Sequence, residues 1–174
     1  VASMVDYTSF AEHWILTELT ENQESKHPKS FYMHKNAGGK LCAGPAWDFD
    51  WGTFIPMANI GTNSSTAGTI KNYYTARYTM WYTYLFNDPA FISVVKERWA
   101  AMKNGFNGVL TYLDSQAELL KVSDTFNHAM WPCTGFNREF PNFDESLSYE
   151  EATTQMRSVL QARLNWLDNE INNL

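Results

Sequence analysis

Helical spacing of apolar residues is the feature of this chain that most constrains its fold. Over residues 88–131, and again from residue 148 onward, hydrophobic side chains recur every three or four positions, the period of helices that bury one face. Residues 133–147 show no clear period and are expected to form a loop. Gly105 and Pro132 are the residues at which this pattern predicts a break or an end. The predicted helices cover 88–104, 106–121, 123–131 and the stretch from Ser148 onward.

Two more helices are predicted in the first half of the chain. The first begins with Ser9 as its N-cap and runs to about Glu21, with Phe10 and Trp14 on its buried face. The second covers 73–86 and carries a broad aromatic face, which favours core packing over a ligand platform.

A short β-hairpin is predicted between these helices. Residues 30–35 alternate in polarity, residues 41–47 form a second apolar run, and Asn36-Ala-Gly-Gly39 supplies a turn between them. The fold class is therefore mainly α with a small β-hairpin. A chain of 174 residues is expected to form a single domain, 1–174, with one core.

Composition excludes several classes of partner. The formal net charge is -6 and there is no run of basic residues, so nucleic acid is not an expected partner. No stretch approaches the ~20 apolar residues of a transmembrane segment. The two cysteines, Cys42 and Cys133, fit either one disulfide or two buried thiols.

The hairpin leads into Gly-Pro-Ala-Trp-Asp-Phe-Asp-Trp-Gly, residues 44–52, where two carboxylates stand one residue apart. If this stretch is a strand, Asp48 and Asp50 face one side while Phe49 anchors the other. Paired carboxylates in such a setting suit Mg²⁺, which prefers hard oxygen ligands. The alternative is a strand end whose aspartates are only solvated or cap a turn.

The polar loop before the hairpin carries a third acidic residue, Glu24. If Glu24 joins Asp48 and Asp50, the cluster suits a metal-assisted reaction in which one carboxylate acts as a base. The alternative is a solvated loop residue. The histidines lack metal-ligand spacing, and the chain contains neither a Gly-x-Ser-x-Gly motif nor a phosphate-binding Gly-rich loop.

Seven segments of the chain together resemble the CotH spore-coat kinase family. They are Ser9-Phe10, Glu18-Leu19-Thr20-x-Asn22, Ser30-x-Tyr32, Gly39-Lys40-Leu41, Gly44-Pro45-x-Trp47-Asp48-Phe49-Asp50, Asp88-Pro89-x-Phe91 and Arg98-Trp99. Members of this family are atypical protein kinases, secreted or surface-associated, with a distant protein-kinase-like fold. The resemblance implies Mg²⁺ or Mn²⁺ and ATP as cofactors, and Ser or Thr hydroxyls of a partner protein as acceptors.

The resemblance also assigns roles to individual residues. Asp48 and Asp50 would be the metal ligands, in the place of the kinase Asp-Phe-Gly segment. The loop from Asn22 to Ser30 would be the catalytic loop, with Glu24 at the position of the base, where the family typically has Asp. Asn22 and Ser30 would support that loop.

Because only about twenty residues precede Asn22, the chain is expected to be the helical C-terminal lobe of such a kinase, with the N-terminal lobe absent and the fragment alone inactive. A degenerate, inactive member of the family is one alternative. Another is a non-catalytic surface module that binds protein or glycan through its aromatic-rich helices and the polar 53–71 stretch. A third is a metal-dependent phosphoesterase that uses the same carboxylates.

Overall fold

The computed structural model describes residues 1–22, 30–49, 53, 74–132 and 147–174. Over these ranges the chain is mainly helical with one small antiparallel sheet, so the fold class predicted from the sequence is confirmed. The elements are α1 (Tyr7–Leu19), β1 (Met33–His34), β2 (Cys42–Ala43), α2 (Tyr82–Leu85), α3 (Pro89–Met130) and α4 (Tyr149–Asn172).

Helix α1 begins one turn earlier than predicted. Asp6 is its N-cap, with a carboxylate that accepts a hydrogen bond from the Ser9 backbone amide at 2.7 Å. The assignment of Ser9 as the cap was wrong because both residues favour the cap position and the earlier one takes it. The Ser9 hydroxyl instead accepts the Ala43 amide at 3.2 Å, which ties α1 to β2.

The predicted hairpin is confirmed, with strands of two residues each. Met33 pairs with Ala43 and His34 with Cys42. Gly44 then ends β2 with a φ of 110°, a conformation that L-residues with a side chain rarely adopt. Cys42 carries a free thiol, and residue 133 lies outside the described ranges.

Helix α3 is one continuous helix where the sequence predicted three. Its Asp88 cap is confirmed, since the carboxylate accepts the Ala90 amide at 2.9 Å. Gly105 does not interrupt it: a mid-helix glycine costs only about 1 kcal/mol relative to alanine, and α4 packs along α3 and buries Leu110 beyond it. With 42 residues, α3 is about 63 Å long.

Of the helix predicted over 73–86, the described residues 74–86 show only Tyr82–Leu85 as helical. Residues 75–77 instead donate their backbone amides to the side chain of Glu18 on α1. Because these backbone amides donate to a carboxylate, they do not need the carbonyl partners that a helix would supply. The described segment before α2 accordingly consists of turns and bends. A long-range contact thus overrides the local periodicity.

The core lies where α1, the first part of α3 and the last part of α4 meet. The Ser148 cap of α4 is confirmed as a capping box with Glu151. In the part of the chain that the structure describes, no helix is both long and apolar enough to span a membrane. Among the described residues, the largest apolar side chains that are fully buried are Phe10, Trp14, Ile15, Tyr82, Phe91, Val95, Trp99, Leu167 and Ile171.

Candidate functional site

Ser30 and Asp48 meet at the surface beside the hairpin. The Ser30 hydroxyl donates a hydrogen bond to Asp48 Oδ2 at 3.0 Å, across 18 residues of sequence. The Asp48 side chain is exposed, which leaves carboxylate oxygen accessible to a ligand. The structure therefore brings together two of the residues that the sequence assigned to the site.

The backbone at both residues is left-handed, with φ values of 54° at Ser30 and 59° at Asp48. Residues other than glycine rarely adopt this conformation, and each instance costs on the order of 1 kcal/mol or more. Asp48 does not lie on a strand, since residues 44–49 are irregular, so the geometry expected of a strand does not apply to it. Residue 50 lies outside the described ranges, so a shared face for the two aspartates stays a prediction.

Beneath this surface pair, His13 of α1 packs against two phenylalanine rings. Its ring centroid lies 4.1 Å from that of Phe31 and 6.3 Å from that of Phe49. Burial lowers the pKa of His13 to about 4, so the imidazole is neutral at pH 7. Phe49, the residue between the two aspartates, thus has an aromatic contact with α1.

Asn22, a predicted support of the catalytic loop, is placed by the end of α1. The Asn22 backbone amide donates a hydrogen bond to the Thr17 carbonyl at 3.1 Å, and the Glu21 backbone amide donates one to the Glu18 carbonyl at 3.3 Å. This pair of bonds is a Schellman motif, which requires a left-handed residue after the cap. That residue is Glu21, with a φ of 51°. Asn22 leaves α1 buried, with 4% of its surface exposed.

A buried ionic cage holds the same end of α1. Both side chains of the Glu18–Arg163 pair are fully buried, with Arg163 Nη2 3.1 Å from Glu18 Oε2. The amides of residues 75, 76 and 77 donate to the Glu18 carboxylate at 2.6, 2.7 and 3.0 Å. Burial raises the pKa of the Glu18 carboxyl, and the three amides and the guanidinium oppose that rise. All of these partners are donors, so the ionised carboxylate is the form that fits the cage.

Sequence reasoning missed this cage. Glu18 is fully buried, although the helical spacing of apolar residues does not place it on the buried face of α1. The available signal was Arg163, a charged residue in the middle of the apolar stripe of α4. A buried arginine needs an acidic partner. Arg163 Nε also lies 3.6 Å from Glu21 Oε1, which ties the left-handed residue at the end of α1 to α4.

Two exposed aromatic rings lie close to Ser30 and Asp48 in the sequence and contact each other. Tyr32 and Trp47 are 49% and 58% exposed, and their ring centroids lie 6.1 Å apart in an edge-to-face arrangement. Exposed aromatic side chains next to a carboxylate form a surface on which a flat or apolar group can pack.

A divalent cation is compatible with the part of this site that the structure describes. Asp48 and Ser30 offer a carboxylate and a hydroxyl, the hard oxygen donors that Mg²⁺ prefers. Within the described ranges, no group of three or more His, Cys, Asp or Glu side chains could hold a metal ion. Residues 24 and 50, the other two predicted acidic members, lie outside those ranges.

The family comparison covers almost the whole chain. A family model described as CotH kinase protein matches residues 1–167. The chain belongs to the CotH kinase family. No curated protein and no solved structure matches it. The CotH match includes α1, the hairpin, Asp48, all of α3 and most of α4, so the resemblance noted in the sequence motifs is confirmed.

Proposed function

We propose that this chain is the helical lobe of a CotH-type protein kinase that transfers a phosphoryl group from ATP to Ser or Thr of a partner protein. The observation that carries the proposal is the exposed Asp48 carboxylate, which the Ser30 hydroxyl contacts at 3.0 Å in a backbone conformation unfavourable for both residues. Strained backbone of this kind clusters at functional sites.

Asp48 is the residue in this site that would hold Mg²⁺ or Mn²⁺. When bound, the cation neutralises charge on the phosphates during transfer. Ser30 fixes the Asp48 carboxylate by donating to Oδ2, which leaves Oδ1 for other partners. Asp50 is assigned as the second ligand by family resemblance.

Glu24 is assigned as the base, also by resemblance. It accepts the proton of the acceptor hydroxyl as that oxygen forms a bond to the γ-phosphorus and the bond to the bridging oxygen of ADP breaks. A glutamate reaches about one carbon–carbon bond further than the aspartate that the family typically carries, and misplacement by an ångström can cost on the order of 100-fold in rate. The proposal therefore includes slow transfer.

The cage behind the site supports the role of Asn22 in this loop. Glu18, Glu21 and Arg163 fix the last turn of α1 through buried contacts, and Asn22 follows directly. Rigid elements hold reactive groups more precisely than loops do. In this proposal the chain acts outside the cell or at its surface, as CotH proteins do. An N-terminal lobe completes the nucleotide-binding site.

Transfer of labelled phosphate tests the proposal. The full-length protein is incubated with γ-³²P-ATP, Mn²⁺ or Mg²⁺ and a library of Ser- and Thr-containing peptides. Asp48→Asn is expected to lose at least about 100-fold in rate, as in other sites that lose an electrostatic group. Asp114→Asn, which changes a solvent-exposed carboxylate paired with Arg157 of α4, is expected to keep the wild-type rate. Equal transfer by Asp48→Asn and wild type, or no transfer by the wild type, would overturn the proposal.

A non-catalytic binding module is the second candidate. It is favoured by the Tyr32–Trp47 pair and by the apolar side chains that the C-terminal third of α3 leaves exposed. Monomeric proteins rarely expose contiguous apolar patches of large size without a function. This candidate predicts that a Trp47→Ala change weakens partner binding and that removal of divalent cations does not. The exposed apolar residues of α3 are Leu119, Leu120, Val122, Phe126 and Met130.

A further inference from the structure

Ser30 and Asp48 are linked at the surface by a hydrogen bond, and the residues that follow them both contact the same histidine. Each is followed directly by a phenylalanine, and both rings pack against His13. The hydroxyl and the carboxylate point outward and meet at 3.0 Å. Two separate segments are thus joined twice, by a hydrogen bond at the surface and by one shared imidazole below it.

The left-handed backbone at Ser30 and Asp48 needs such support. Unfavourable φ values persist only where surrounding contacts determine them. The surface hydrogen bond is a weak restraint by itself, since a solvent-exposed hydrogen bond competes with water. The contacts of the two partly buried rings with the buried His13 ring are the stronger restraint.

His13 is itself held in place within α1. It is 8% exposed, and its Nδ1 lies 3.4 Å from Thr17 Oγ1, one turn further along the helix. The Thr17 hydroxyl in turn donates to the His13 carbonyl at 2.8 Å. The position of the imidazole on the buried helix α1 is therefore fixed, and the two loop segments pack against it.

We propose that His13 is a positioning residue for the metal-binding carboxylate of Asp48. Its ring packs against Phe31 and Phe49 and thereby holds the backbone of Ser30 and Asp48 in position. The Asp48 carboxylate is thus oriented before a cation binds. This inference rests on the proposed function in taking Asp48 as a metal ligand. His13 touches neither the cation nor the substrate, and a flat ring of similar size is what its role requires.

Mn²⁺ titration followed by electron paramagnetic resonance tests this role, using the full-length protein under conditions in which circular dichroism shows every variant to be folded. Residues that orient metal ligands typically contribute 10–100-fold in affinity. We expect His13→Ala to weaken Mn²⁺ binding about tenfold. His13→Phe keeps an aromatic ring under Phe31 and Phe49 and is expected to bind within about threefold of wild type, since the affinity follows ring packing.

Ile15→Ala is the matched control. Ile15 is fully buried on α1 and lies about 200° around the helix from His13. It is expected to lose stability by the same order as His13→Ala and to keep its Mn²⁺ affinity. If His13→Ala fails to fold, Phe31→Leu takes its place, because it removes one ring from the imidazole and leaves α1 intact; it is expected to weaken binding at least threefold, on the order of 0.7 kcal/mol.

The outcomes separate this inference from the proposed function. If Asp48→Ala loses Mn²⁺ binding but His13→Ala or Phe31→Leu binds like wild type, the positioning role is overturned and the function stands. The same follows if Ile15→Ala weakens binding as much as His13→Ala, or if His13→Phe fails to restore it. If Asp48→Ala binds Mn²⁺ as tightly as wild type, or the wild type binds none, the function and the positioning role both fall.

Discussion

Arg163 reaches from the middle of α4 to Glu18 on α1, 145 residues earlier, and the two side chains form an ion pair that is fully buried. The Glu18 carboxylate also accepts hydrogen bonds from the backbone amides of residues 75–77. One acidic side chain thus connects the helix before the candidate catalytic loop, the segment before α2, and the C-terminal helix.

Replacing the buried Arg163 guanidinium by an uncharged side chain is expected to destabilise the fold strongly. Arg163→Met leaves the Glu18 carboxylate buried without its charge partner, a change that costs about 3–5 kcal/mol. Arg157→Met is the matched control on the same helix, because Arg157 pairs with Asp114 at the exposed surface and such pairs contribute about 1 kcal/mol or less. Urea unfolding followed by circular dichroism measures both. Similar losses in the two variants would contradict the structural role of the cage.

Stability is expected to fall as pH drops below neutrality, through His13. Its pKa is 6.5 in the unfolded chain and about 4 in the folded one, so between these values the unfolded state binds more protons and stability rises with pH. The loss is complete once the pH falls below about 4 and is on the order of 3 kcal/mol. His13→Phe cannot take up this proton. Urea unfolding at a series of pH values should therefore show a shallower slope for His13→Phe, and identical slopes would show that His13 titrates normally.

Gly105 provides a test of the continuous α3 helix. Nothing lies within 4 Å of the position that a Cβ would occupy there, and an alanine in a helix interior is more favourable by about 0.5–1 kcal/mol. Gly105→Ala should raise the free energy of unfolding by that amount. Gly38→Ala, in the hairpin turn with a φ of 71°, should lower it by about 1 kcal/mol. A destabilising Gly105→Ala would instead indicate the helix break that the sequence suggested.

Ser30 separates the effect of its hydroxyl from that of its backbone. Ser30→Ala and Ser30→Gly both lose the hydrogen bond to Asp48, so both should weaken Mn²⁺ binding by a few fold, on the order of 1 kcal/mol. Only glycine relieves the φ of 54°, so Ser30→Gly should be the more stable of the two by about 1 kcal/mol. Ser158→Ala, an exposed serine on α4 that bonds to Thr154, should change neither quantity. If both Ser30 variants bind Mn²⁺ as tightly as wild type, the Ser30 hydroxyl does not help to orient the Asp48 carboxylate.

The helices and their caps could be predicted where local chemistry decides them. Asp88 with Pro89 and Ser148 with Glu151 are caps whose partners lie within three residues, and both were predicted correctly. At the start of α1 two good caps stand three residues apart, and periodicity cannot choose between Asp6 and Ser9. Helix breaks are also decided by packing, which is why a glycine in α3 is tolerated beside α4.

The candidate site could be predicted only in its composition. The family motif identified Ser30 and Asp48, but their hydrogen bond spans 18 residues and their left-handed backbone has no signature in local sequence. The role of His13 depends on two rings brought together by the hairpin, and a lone histidine on a helix carries no such information. Contacts of this kind come from the tertiary fold.

Isothermal titration calorimetry with ATP, in the presence and absence of Mg²⁺, tests the central claim most directly. Full-length wild-type protein should bind ATP only when Mg²⁺ is present, and Asp48→Ala, which removes an exposed carboxylate without disturbing the core, should lose that metal-dependent binding. Asp114→Ala, at an exposed site on α3, should bind like wild type. Metal-dependent ATP binding that survives in Asp48→Ala, or its absence from the wild type, would contradict the assignment of Asp48 as the metal ligand of a CotH-type kinase.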